Sequence, residues 1–101
     1  MTKLWLQENK WEDVENYLKE KKTIILPVGS VEQHAKHLPL GTDSFLAQHI
    51  AEDVAKLTGT LIAPPLWVGW APHHMAYTGT ITLRPETLTQ VIEDMCESLV
   101  Y

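Results

Sequence analysis

Cysteine is nearly missing from this sequence. Cys96 is the single one in 101 residues, so no internal disulfide can form, which fits a reducing compartment. Basic residues are few as well. Eight Lys and Arg against thirteen Asp and Glu leave a net charge of −5, and no basic run exceeds Lys21-Lys22. That balance argues against nucleic acid or an anionic membrane as partner. Long hydrophobic runs are also lacking. Stretches such as Ile24 to Val28 and Leu61 to Leu66 fall far short of the ~20 residues that cross a bilayer. Met1 to Gln7 has neither the apolar core nor the small-residue cleavage site of a signal peptide. A cytoplasmic protein is expected. No internal repeat and no low-complexity linker interrupts the chain.

What is present is the balance of a folded domain. Hydrophobic residues make up 45% and charged residues 21%, which speaks against disorder, and the length suits one small domain. From Lys10 the spacing of Trp11, Val14, Tyr17 and Leu18 predicts a helix with one apolar stripe. Glu12 and Asp13 near its start and Lys19, Lys21 and Lys22 near its end suit the helix dipole. Thr23 to Val28 is a short, β-branched, almost wholly apolar run, as in a parallel strand buried on both faces.

Gly29 ends that run, and a loop rich in His, Gly and Pro extends to Thr42. A second helix follows, with Leu46, Ile50, Val54 and Leu57 on one face, Thr42 or Asp43 as its cap and Gly59 as its stop. Thr60 to Ala63 reads as a second strand ended by Pro64-Pro65. Thr78 to Leu83 reads as extended, and Pro85 opens a third helix that buries Leu88, Val91, Ile92, Met95 and Leu99. This order predicts an α/β fold with a mainly parallel sheet. The third helix should cross back to a further parallel strand. None follows Leu99-Val100-Tyr101, so the chain is expected to stop partway through a domain.

The segment from Pro27 to Asp43 carries the chemistry. It leaves the C-terminal end of the first strand, where open α/β sheets place their active sites. Glu32 and His34 are two residues apart, so an extended backbone sends both side chains to one face. Asp43 opens the next helix, and the intervening loop can fold it back towards that pair. One imidazole and two carboxylates form a mixed nitrogen and oxygen donor set suited to Zn²⁺ or Mn²⁺. The same residues also fit a plainer account: a solvated Glu32, a hydrogen-bonded loop histidine at His34 and a helix cap at Asp43. Spacing alone leaves both open.

The stretch Pro27-Val28-Gly29-Ser30-Val31-Glu32-Gln33-His34, continuing through His37-Leu38-Pro39-Leu40 to Thr42-Asp43, resembles the signature of the creatininase (creatinine amidohydrolase) family. A second block, Gly69 to Thr87, is similar to the family's second region, which has a histidine a few residues before a Pro-Gly-Thr. The resemblance implies a three-layer α/β/α fold of which residues 1–101 are an N-terminal part, truncated after the third helix. It implies a dinuclear site in which Glu32 ligates one ion, His34 the other, and Asp43 bridges them. Zinc or manganese is the implied metal, with iron as an alternative. The implied reaction is hydrolysis of a small or cyclic non-peptide amide by metal-activated water, in a homo-oligomer.

Three departures stand against that pattern. The family's Gly-Pro between the histidines is Ala35-Lys36 here, and the proline usual before Gly79-Thr80 is Thr78. The family's remaining ligands come from an Asn-Gly-His-Gly-Gly-Asn-like turn and a later acidic residue, and neither occurs in this sequence. The chain alone is therefore expected to be inactive. A different class of reading is a non-catalytic remnant or split subunit that binds a partner chain through the same fold.

His74 matches the histidine of the second block and is the one candidate for a proton-transfer role. His37 is a weaker candidate for contact with the site, while His73 and His49 read as surface residues. Trp67, Trp70 and Tyr77 suit either a pocket or a subunit interface. Cys96, beside the apolar face of the third helix, reads as packing. Ser30 lacks the Gly-x-Ser-x-Gly elbow of a serine hydrolase.

Overall fold

The computed structural model describes residues 3–100, so the apolar continuation at Tyr101 lies outside them. A 3₁₀ turn at Leu6–Glu8 precedes helix α1, Trp11–Leu18. The backbone N–H of Lys10 donates to Asp13 Oδ2 over 3.0 Å, which satisfies a donor at the helix entry. The expected lysines fall at or after the end of α1, with Lys19 as its closing residue. Trp11 and Leu18 are exposed, so only Val14 and Tyr17 of the apolar stripe are drawn in.

Strands β1 (Ile24–Ile25) and β2 (Leu61–Ile62) pair in parallel, with Ile24 opposite Leu61 and Ile25 opposite Ile62. The pairing resumes at Val28 and Leu66, where Leu66 N–H donates to Pro27 O and Gly29 N–H donates to Leu66 O. Pro27, Pro64 and Pro65 have no amide hydrogen, so the ladder breaks between the two stretches. The expected first strand is therefore shorter than Thr23 to Val28.

It is also not interior among the described residues. Ile24 and Ile25 are half-buried and Val28 is exposed. The central position belongs to β2, because Ile62 N–H also donates to Leu4 O and Trp5 pairs in parallel with Ile62. Leu61 and Ile62 are accordingly buried.

Helix α2 spans Thr42–Thr58 and ends at Gly59, whose φ of +66° closes the helix in the left-handed region as its sequence suggests. The face that meets the sheet is the small one: Ala51 and Ala55 pack on Ile62, with Leu4, Trp5 and Ile25 around them. Small side chains let the helix approach the strand closely. Leu46, Ile50, Val54 and Leu57 lie on the other face and are exposed.

Helix α3, Pro85–Val100, starts at the expected proline. Leu88, Val91, Ile92, Met95 and Leu99 are half-buried rather than fully so. Leu99 lines a cleft with Val14 and Leu18 of α1 and with Ile24 and Leu61. Successive strand residues face opposite ways, so α2 covers the Ile62 side while α1 and the end of α3 border the Leu61 side. Cys96 is exposed on α3, which corrects its reading as a packing residue. Among the described residues no helix is long and apolar enough to cross a membrane.

Candidate metal centre

The loop that leaves β1 is fixed by contacts too close to admit side chains. A Cβ on Gly29 would stand 2.5 Å from the Cα of Ser44, and one on Gly69 would stand 2.7 Å from Gly29 O. Ser44 is 2% exposed, and its hydroxyl lies 2.7 Å from Trp67 O and 3.2 Å from Ser30 O. The first turn of α2 is thereby clamped against the loop after β1, and Asp43 precedes Ser44 in that turn.

Asp43 caps nothing. The residue before the helix is Gly41, no side chain caps it, and Thr42 Oγ1 donates to Pro39 O over 2.6 Å. The carboxylate of Asp43 is left available. This corrects the capping role that either residue was expected to fill.

Two backbone links shape the other side. Glu32 N–H donates to Leu40 O over 3.0 Å, closing the loop between them. Ile81 N–H donates to Val31 O over 2.9 Å, and Gln33 N–H donates to the Oγ1 of buried Thr80 over 3.2 Å. The second sequence block is thus tied alongside the first. Only Ile81 of the expected extended stretch pairs as a strand would, in an antiparallel bridge.

Donor atoms of Glu32, His34 and Asp43 all lie within 4.8 Å of one another. His34 Nε2 stands 3.7 Å from Asp43 Oδ2, too far for a hydrogen bond, and it is buried with no hydrogen-bond partner. A buried polar atom without a partner is costly unless something satisfies it. Two ligand atoms bound to one ion at about 2.0–2.2 Å lie roughly 3.3–3.8 Å apart for angles from tetrahedral to about 120°. The measured gap fits that range, and the donor set fits the chemistry of zinc or manganese.

A second cluster adjoins the first: Glu32, His73 and His74 also bring one donor atom each within 4.8 Å. His74 sits at the end of a 3₁₀ turn, Pro72–His74. Its Nε2 lies 3.1 Å from Glu32 Oε2 and its Nδ1 lies 2.7 Å from Gln33 Nε2. His73 is exposed, but its ring lies 4.1 Å from that of His74 between centroids. His37 and His49 are both exposed, and neither belongs to either donor cluster.

Sequence reasoning missed Gln33, whose side chain joins the two blocks. No local pattern marked it, because Gln33 and Glu32 meet the same His74 ring only once the second block has folded against the first. Ser44 was missed too, for want of any sequence mark on a small residue under a glycine.

A family model described as creatinine amidohydrolase matches residues 7–101. The chain is 38% identical over 86 residues to a 3-dehydro-scyllo-inosose hydrolase of Thermotoga maritima, covering 84% of this chain and 28% of that one. It is 40% identical over 75 residues to a mycofactocin precursor peptide peptidase of Mycobacterium ulcerans, covering 65% and 30%. It is 31% identical over 81 residues to a creatinine amidohydrolase of Pseudomonas putida, covering 75% and 31%. The chain thus spans about three tenths of the length of the curated relatives it matches.

Among solved structures, a manganese form of creatininase superposes with a TM-score of 0.90 at 27% identity, over 98% of this chain and 41% of that one. A zinc–zinc form of a creatininase mutant gives a TM-score of 0.91 at 26% identity, over 99% and 41%. With the match to the family model running from the first 3₁₀ turn through α3, and the two sequence blocks meeting around Glu32, His34 and Asp43, the chain belongs to the creatininase family.

Proposed function

We propose that this chain forms part of a divalent-metal hydrolase acting on a small or cyclic non-peptide amide, with Glu32, His34 and Asp43 holding the metal. The observation that carries this reading is the buried, unpartnered Nε2 of His34 within 3.7 Å of the Asp43 carboxylate. A bound divalent ion supplies Lewis acidity towards a carbonyl oxygen and makes water nucleophilic near neutral pH. The chain's own residues do the rest. His34 contributes a neutral nitrogen and Asp43 a carboxylate, on two elements held in register by the Ser44 contacts. Glu32 brings the third donor from the extended segment beside His34. Zinc or manganese suits this set, and the manganese and zinc–zinc forms of creatininase support that choice.

The related proteins bear names for quite different substrates: an inosose, a precursor peptide and creatinine. The narrower assignment to a small amide rests on the creatininase structures, which this chain matches over nearly all of its described length. We further propose that the chain self-associates through the exposed face of α2. The test is turnover of a panel holding creatinine, simple formamides, a short peptide and a cyclic polyol ketone, with Zn²⁺ or Mn²⁺ supplied. The account expects the 101-residue chain by itself to turn over none of them appreciably, since three donors shared between two ions leave both short of the usual ligand set. Turnover that His34→Ala abolishes would show that the remaining donors come from elsewhere in an assembly. A second reading, a subunit that binds a partner chain, is favoured by the same exposed face, and the chain would then show metal binding and catalysis only in a mixed complex.

A further inference from the structure

Four residues of the site form an ordered series of polar contacts, two hydrogen bonds and a close nitrogen–oxygen approach, that begins at a main-chain amide. Ala35 N–H donates to Gln33 Oε1 over 2.8 Å. A backbone amide can only donate, so that contact fixes which end of the Gln33 amide is oxygen. The other end, Nε2, must then donate to His74 Nδ1, 2.7 Å away. With Nδ1 accepting, the ring proton of His74 sits on Nε2, and Nε2 faces Glu32 Oε2 at 3.1 Å. One main-chain hydrogen therefore determines the tautomer of the histidine and the partner of the carboxylate.

From this we infer that His74 is a positioning residue, which holds one oxygen of Glu32 and leaves the other for an ion. The inference rests on the metal reading proposed above for Glu32, His34 and Asp43, and it changes the role expected of His74. Both ring nitrogens are engaged, one by Gln33 and one by Glu32, so His74 has no free lone pair for a metal. The cluster of Glu32, His73 and His74 is then not a second metal site, in spite of its close donor atoms. Nor does His74 serve as the proton donor to a leaving group, because its one ring proton faces Glu32 Oε2. The order of contacts matches the general pattern in which a partner orients a ligating carboxylate and sets its affinity for metal.

Ala35 enters this series through an unusual backbone. Its φ of +55° is the one positive value at a non-glycine residue among the described residues. Glycine, the family's residue at this position, adopts that conformation without penalty, so alanine here carries backbone strain.

The experiment is nitrogen–proton correlation of the histidine rings in the metal-free, isotopically labelled chain. The expected spectrum shows His74 with an unprotonated Nδ1 and a protonated Nε2. In Gln33→Glu a carboxylate replaces the amide donor, so a proton should appear on Nδ1. Wild-type His74 with a proton on Nδ1, or with both nitrogens averaged and unaffected by Gln33→Glu, would overturn the inference. Titration with Co²⁺ supplies the second arm. His74→Ala should weaken binding roughly 10–100-fold, and His74→Gln, whose amide can still donate to Glu32, should recover most of the loss. His73→Ala should leave binding within about twofold, since its ring makes none of the hydrogen bonds in the series. A large loss in His73→Ala with none in His74→Ala would overturn the inference. Absence of Co²⁺ binding in the wild-type chain would contradict the metal reading, while the ring spectrum would still decide the order of contacts.

Discussion

At the scale of single residues, the backbone of Ala35 carries a cost that a glycine would remove. A left-handed conformation costs an L-residue about 1–2 kcal/mol, against roughly 0.5–1 kcal/mol for the extra unfolded-state freedom of glycine. Ala35→Gly should therefore stabilise the chain by about 0.5–1 kcal/mol, read as a higher midpoint in urea denaturation. An unchanged or lower midpoint would mean that the positive φ is not held in solution. In the sequence, spacing left Glu32, His34 and Asp43 open to a metal-binding or a plain structural reading, and only the family resemblance favoured the first; the structure gathers their donor atoms within 4.8 Å. Gln33 was not legible, because its role depends on the second block folding back over the first. No local pattern encodes that return, which rests on Thr80 and Ile81 meeting Gln33 and Val31.

Elements tell a different story, in which a close contact replaces a capping interaction. Gly29 lies so near Ser44 that a single methyl group must displace the start of α2. Gly29→Ala should cost about 1–3 kcal/mol, the usual penalty of overpacking, and should also weaken metal binding by moving Asp43. Thermal unfolding followed by circular dichroism checks the first effect and Co²⁺ titration the second; a fully stable variant with unchanged affinity would remove Ser44 from its place in the account. Helix boundaries followed the sequence closely because Gly59 and Pro85 act locally. Strand lengths did not, since the prolines at 27, 64 and 65 withhold ladder hydrogen bonds from strands that composition alone would extend. The inward face of α2 was also hidden from pattern reading. Hydrophobic periodicity picks out Leu46, Ile50, Val54 and Leu57, whereas the sheet takes the alanines.

For the molecule as a whole, the balance of buried and exposed apolar surface governs behaviour. Ile62 is the large side chain most fully hidden among the described residues, while Leu46, Ile50 and Leu57 are 54%, 61% and 87% exposed along one side of α2. A contiguous face of that kind usually finds a partner. Light scattering at micromolar concentration should show a dimer or larger, and Ile50→Lys should shift it towards monomer; a monodisperse wild-type monomer would contradict self-association through α2. The central claim concerns the metal. The most direct test is elemental analysis of the purified chain after equilibration with Zn²⁺ and dialysis, beside His34→Ala treated identically. One weakly held ion per wild-type chain is expected, and none in the variant. Two tightly held ions in the chain alone, or equal zinc in wild type and His34→Ala, would contradict it.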